Sequence, residues 1–107
     1  MDIASETRTI ARLQLAQRID AVARECLSMT PARLAFAVDD IRREAYTCRF
    51  AAVAALASGL ERAMARSAGS TIVIPFLQAM GDAVASDDDT PGAATAWLGA
   101  VGMRLNG

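Results

Sequence analysis

At 107 residues, 53% of them hydrophobic, 21% charged and only 5% aromatic, the chain is sized for one domain whose core is Ala, Leu, Ile, Val and Met, the profile of closely packed helices. A formal net charge of -1 supplies no basic field to gather nucleic acid or anionic lipid, which sets both aside as partners. The absence of histidine excludes Ser-His and Cys-His nucleophile arrangements and removes the commonest general base.

A first helix is expected from about Ser5 to Leu27. Leu15, Ile19, Val22 and Cys26 recur at steps of four, three and four, which puts them on one face, with Arg12, Asp20 and Arg24 on others. It should stop before Thr30-Pro31, a capping residue followed by a proline suited to the first helical position. A second helix then runs to about Tyr46, with Leu34, Val38, Ile41 and Ala45 on its apolar stripe. At Thr47-Cys48-Arg49 the register breaks, and Phe50, Val53, Leu56 or Ala57, Leu60 and Met64 begin a new stripe. The spacing predicts a tight helical hairpin. A single bent helix is the alternative, because no Gly or Pro marks the join.

The third helix should close near Ser67-Ala68-Gly69, where Gly takes the left-handed conformation that ends a helix, and Ser70 or Thr71 offers the next cap. Ile72-Val73-Ile74 has a strand-like composition, but Val73, Leu77, Met80 and Val84 keep helical spacing and Pro75 fits a first turn. Asp87-Asp88-Asp89 reads as an acidic loop, and Thr90-Pro91 repeats the cap seen at Thr30-Pro31. A fifth helix carries Ala94, Trp97 or Leu98, Val101 and Leu105. Gly92, Gly99 and Gly102 weaken it by up to about 1 kcal/mol each when interior, so Trp97 is expected to anchor it. The expected fold is all-α: an up-and-down four-helix bundle with an additional C-terminal helix, one domain over residues 1–107.

No stretch approaches the roughly 20 apolar residues of a membrane-spanning helix; the longest run is Phe50 to Ala57. Asp2 and Glu6 stand where a secretory signal would be basic and then apolar, so the cytoplasm is the default expectation. Cys26 and Cys48 have neither metal-ligand spacing nor the density of a disulfide scaffold and are read as reduced. Every basic residue is Arg, which together with the abundance of Ala points to a GC-rich bacterial genome.

Little in the chain carries chemistry. Asp39 and Asp40 project about 100° apart on a helix and form no catalytic pair by themselves. Asp87 to Asp89 lacks the alternating carboxylates, central Gly and distal Glu of a calcium loop, and Gly69-Ser70 and Gly81 belong to no phosphate-binding motif. No catalytic residue, metal site or cofactor is expected. Cys26 lies on an apolar stripe and reads as core, whereas Cys48, beside Arg49, is either structural or a reactive thiol. The most distinctive polar cluster is Arg42, Arg43 and Arg49 near Tyr46, because Arg with an aromatic is enriched at protein interfaces. A solvent face balanced by Asp39, Asp40 and Glu44 is equally open.

Asp39-Asp40-Ile41-Arg42-Arg43, followed by Phe50, Val53, Leu56 and Leu60-Glu61, resembles the histidine-containing phosphotransfer family. The resemblance covers roughly Val38 to Met64, with the flanking helices agreeing in order and length. In that family a helix bears a phosphorylatable His, then Lys three residues later and Gly next to it; a glycine-rich turn leads to a helix ending near a Leu-Glu pair. Aligned on the apolar positions, Asp39 occupies the His position, Arg42 the Lys position and Arg43 the Gly position, while Arg49 replaces a turn Gly. A carboxylate cannot relay a phosphoryl group as an imidazole does, and Arg43 would crowd a partner's approach. The resemblance therefore implies a degenerate member without phosphotransfer. It would keep a face for a receiver domain or sensor kinase made of Asp39, Arg42, Arg43, Tyr46 and Arg49. The expectation is a non-catalytic protein-interaction module. The alternative is a self-associating structural bundle, a homodimer through the Gly- and Ala-rich fifth helix around Trp97, Gly99 and Gly102.

Overall fold

The computed structural model describes residues 3–66, 70–86 and 91–106. Helix α1 (Ile3–Glu25) runs into a 3-10 turn at Cys26–Ser28, and α2 (Pro31–Thr47) and α3 (Ala51–Arg66) follow. A second 3-10 turn at Ser70–Ile72 leads into α4 (Val73–Ser86), and α5 (Pro91–Asn106) comes last. No strand occurs among the described residues. The expectations placed on Ser67-Ala68-Gly69, on Asp87 to Thr90 and on the Leu105 side chain lie outside them.

The apolar stripes read for the first, second and fourth helices are buried, and that of the third is buried from Phe50 to Leu60 with Met64 half-buried. Leu15, Ile19, Val22 and Cys26 of the first segment meet Leu34, Val38, Ile41 and Ala45 of α2 and Val53, Leu56, Ala57 and Leu60 of α3 in one cluster. Val73, Leu77, Met80 and Val84 of α4 complete it. Each large side chain buried this way contributes about 1.5–3 kcal/mol. Helix α1 packs on α2 and α4, α3 packs on the same two, and α5 lies against α3 and α4. Helix α2 runs antiparallel to α1: Arg18 reaches Asp40 and Glu44, whereas the earlier Arg8 reaches the later Cys48.

Thr30 opens α2 as expected. Its hydroxyl accepts from the Arg33 N–H at 3.2 Å, and Pro31 takes the first position. The join between α2 and α3 is a hairpin, not a bend, and Arg49 makes it. Its φ of 64° is left-handed, the conformation that glycine usually supplies at a helix end. The Arg49 N–H donates to the Tyr46 carbonyl at 3.2 Å and the Phe50 N–H to the Ala45 carbonyl at 2.8 Å, the two bonds of a Schellman closure. Phe50 is thereby turned into the core, and its own carbonyl accepts from Ala54 at 3.0 Å to start α3.

Helix α5 comes close to α3 at Gly59. A Cβ on Gly59 of α3 would stand 3.1 Å from both Leu98 Cδ2 and Phe76 Cε1. Trp97 and Leu98 are both half-buried against the core, and Leu98 is the one that meets Gly59. The start of the α5 stripe is shifted by one residue, with Ala93 buried in place of Ala94. The placement of Arg12 on a face other than the apolar stripe is also corrected. Arg12 is half-buried, its guanidinium carbon 5.9 Å from the Phe50 ring centroid, because with Arg8 it continues the buried stripe of α1 toward the N-terminus.

Candidate functional site

Asp39, Arg42, Arg43 and Tyr46 are spaced three, four and seven residues from the first, so α2 carries them along one flank beside its buried stripe. The flank divides into two parts. In the middle of the helix the charges close on one another. Arg42 donates to Asp39 Oδ1 at 2.5 Å and its Nε lies 2.7 Å from Glu61 Oε1 on α3, while Arg43 Nε is 3.0 Å from Asp39 Oδ2. The hydrogen bond from Arg42, helped by the charge of Arg43, holds the Asp39 carboxyl below its ordinary range against a smaller desolvation effect. The same hydrogen bond and the charge of Glu61 raise the Arg42 guanidinium above its ordinary value.

On the other flank of α2, Arg18 of α1 pairs with Asp40 and stands 2.9 Å from Glu44. Helix α2 is therefore tied by ion pairs to α1 on one side and to α3 on the other. Arg43 and Tyr46 remain largely in solvent, Arg43 with its side chain 61% exposed and Tyr46 at 79%.

At its C-terminal end α2 opens onto a different environment. Tyr46 and Arg49 line a depression of about 810 Å³ together with Thr47 and Arg8 of α1, over Ala45, Ala51 and Ala54. Arg8 Nη1 donates to the Cys48 carbonyl at 3.1 Å, and its guanidinium carbon lies 4.3 Å from the Phe50 ring centroid. That distance suits a cation resting on an aromatic face. The structure thus brings Tyr46 and Arg49 together, and it separates them from the closed Asp39–Arg42–Arg43 network.

Sequence reasoning missed Arg8, which lies forty residues from its hydrogen-bond acceptor. One signal was available: Arg8 and Arg12 extend the four-three-four spacing of Leu15, Ile19 and Val22. An Arg on a core stripe needs partners for its guanidinium as it leaves water, and those of Arg8 include a backbone carbonyl and an aromatic face.

Both cysteines are free thiols. Cys26 is buried and its Sγ donates to the Ala23 carbonyl at 3.5 Å, while Cys48 is half-buried in the turn. Among the described residues no three Cys, Asp or Glu side chains gather as a metal site, and no helix is long and apolar enough to cross a membrane. No protein-family model, curated protein or solved structure matches this chain.

Proposed function

We propose that the chain is a non-catalytic protein-interaction module of phosphotransfer-like fold. In this reading α1 to α4 form an up-and-down four-helix bundle and α5 is the additional helix. The partner, a receiver domain or sensor kinase, docks on the outer flank of α2 and the α2–α3 turn. The observation that carries the reading is the exposure of Tyr46 and Arg43 on a helix pinned from both sides. An aromatic and arginines on a rigid support are the composition of interface hot spots, and little ordering cost is left for binding.

Two details of the hairpin support the family resemblance. Arg49 has a glycine-like backbone where the family has a turn Gly. Glu61, of the Leu-Glu pair, faces Arg42, which aligns with the family's Lys. Asp39 is engaged by two arginines, so it acts in this reading as a support for them. Titration against receiver and kinase domains encoded in the same genome tests the face. Arg43→Glu combined with Tyr46→Ala should weaken binding at least about tenfold, the loss of one hot spot. Unchanged affinity would remove this face from the proposal.

Self-association is the second reading, and one observation favours it. Ile3, Ile10 and Leu13 of α1 are 79%, 56% and 60% exposed. An apolar face of that kind marks an interaction surface. This moves the expected self-contact from α5, where Trp97 already packs inward, to α1. Sedimentation showing a strict monomer at high micromolar concentration removes this reading.

A further inference from the structure

We infer that two copies of the chain pair through the outer side of α1, antiparallel about a two-fold axis near Leu13, with Glu6 of each copy meeting Arg24 of the other. The inference rests on the self-association reading and supplies the orientation and the charge contacts of that surface.

Helix α1 is apolar on two opposite sides. Leu15, Ile19 and Val22 are buried in the bundle, whereas Ile3, Ile10 and Leu13 are exposed, roughly half a turn away at about 100° per residue. A helix apolar on one stripe needs one covering surface, and a second stripe calls for another. The outer side is also short of charge. Between Glu6 and Arg18 the only charged residues are Arg8 and Arg12, and both are half-buried with their guanidinium groups near the Phe50 ring. The solvent side of that stretch is Thr7, Thr9, Ile10, Leu13, Gln14 and Gln17. In a chain with 21% charged residues, a neutral surface of about three turns has the composition of an interface centre.

Charge names the occupant. The neutral stretch is bounded by Glu6 on one end and by Asp20 and Arg24 on the other, all exposed and on the same side of the helix. A parallel pair would set Glu6 against Glu6, Asp20 against Asp20 and Arg24 against Arg24. Glu6 and Asp20 lie equally far from Leu13 in sequence, so an antiparallel pair about Leu13 brings Glu6 of one copy beside Asp20 of the other. Arg24 is one turn beyond Asp20 and leans back toward its own N-terminus, which puts its guanidinium between the two carboxylates. Arg24 Nη2 is already 3.0 Å from Asp20 Oδ2, and a guanidinium with five N–H donors takes a second carboxylate without releasing the first. Arg18 makes that arrangement within the chain, between Asp40 and Glu44. The surface is thus complementary to itself, as an isologous two-fold contact requires.

In this pairing Leu13 meets Leu13 on the axis, Ile10 lies against Leu13 and Gln17 of the other copy, and Ile3 covers the aliphatic stem of its Arg24. The two bundles fall on opposite sides, because this side of α1 faces away from the core, and the α2 flank with Arg43 and Tyr46 stays open on each copy. One helix pair is a small contact, so the dimer is weak, with a dissociation constant on the order of tens of micromolar.

Sedimentation equilibrium of the full chain at low salt, from low to high micromolar concentration, tests it. Glu6→Arg brings two arginines together at each end of the contact and Arg24→Glu brings carboxylates together, so each variant alone should associate at least about fivefold more weakly than wild type. Mixed in equal amounts the two variants are complementary at both ends, and the mixture should associate as tightly as wild type. Leu13→Glu should abolish the dimer and, at an exposed position, leave the thermal melt unchanged. Arg62→Glu, exposed on α3, changes the charge as Arg24→Glu does and should leave association intact. A dimer that tolerates both charge variants, or a mixture no tighter than either variant alone, overturns the antiparallel contact and leaves self-association standing. A wild-type chain that stays monomeric at high micromolar concentration removes both.

Discussion

Replacing Arg49 by glycine should make the protein more stable. With φ at 64°, the Arg49 Cβ crowds its own backbone, at a cost of about 1–2 kcal/mol for a residue other than glycine. Glycine removes that cost but returns about 0.4–1 kcal/mol through the greater freedom of the unfolded chain. The two bonds that close the turn, from the Arg49 N–H to Tyr46 and from the Phe50 N–H to Ala45, are backbone bonds and survive the change. The net expectation is a gain of about 1 kcal/mol, or roughly 5 °C in Tm for a chain of this length. Urea and thermal melts followed by circular dichroism measure it. Arg49→Ala is the decisive control, because it deletes the guanidinium and keeps the Cβ, so it should gain nothing. If alanine stabilises as much as glycine, the cost lies in the cationic side chain beside Arg8, and the backbone reasoning fails. A glycine variant no more stable than wild type fails it equally.

Three further outcomes follow from the packing and the ion pairs. Gly59→Leu pushes a side chain into Leu98 and Phe76 and should cost about 1–3 kcal/mol; displacement of α5 would shift the emission of Trp97, the only tryptophan, to the red, and unchanged emission with unchanged stability refutes the close approach. Thr30→Ala removes the acceptor of the Arg33 N–H and should cost about 1 kcal/mol in a urea melt, whereas a neutral result means that Pro31 alone starts α2. Because Arg42 and then Arg43 lower the Asp39 carboxyl below 3.8, its stabilising contribution is complete above that value and is lost as pH falls through the lower folded value. The stability difference between wild type and Asp39→Asn should therefore be constant from neutrality down to about pH 5 and shrink below about pH 4; a difference that does not shrink on acidification contradicts the ion pair.

Apolar period alone was enough to read the helices and much of the core. Leu34, Val38, Ile41 and Ala45 were expected on one stripe, and all four are buried. The same holds for Val73, Leu77, Met80 and Val84 despite the strand-like Ile72-Val73-Ile74. Thr30-Pro31 was legible because capping is local chemistry. The α2–α3 turn was only half legible: the register break showed where the chain reverses, but the usual marker of a left-handed residue is glycine, and Arg49 carries none of its signal. The site was less legible still. Asp39, Arg42, Arg43, Tyr46 and Arg49 form one cluster in sequence, yet which arginine pairs across to α3 depends on Glu61 and which borders the depression at the end of α2 depends on Arg8. Both partners come from other helices, and a charge pattern along one helix holds no information about them.

The division among the arginines is what gives the α2–α3 end its distinct character. Arg18 and Arg42 each bridge two carboxylates, and Arg24 and Arg43 each meet one on their own helix. Of these, the Arg18 pairs and the Arg42–Glu61 pair cross between helices and help fix how α2 sits against α1 and α3. Arg49 differs in kind: it occupies a backbone conformation that glycine would adopt with less strain, and its side chain is exposed beside Tyr46. A turn required only to reverse the chain gains nothing from arginine at position 49. A turn required to hold a cation beside Tyr46 does gain from it, and the steric cost of about 1–2 kcal/mol is then comparable to what a single charged contact at an interface returns. The stability of Arg49→Gly and its binding to the receiver or kinase partner should accordingly move in opposite directions, and a variant in which both rise or both fall would show that the strained residue and the proposed docking face are unrelated.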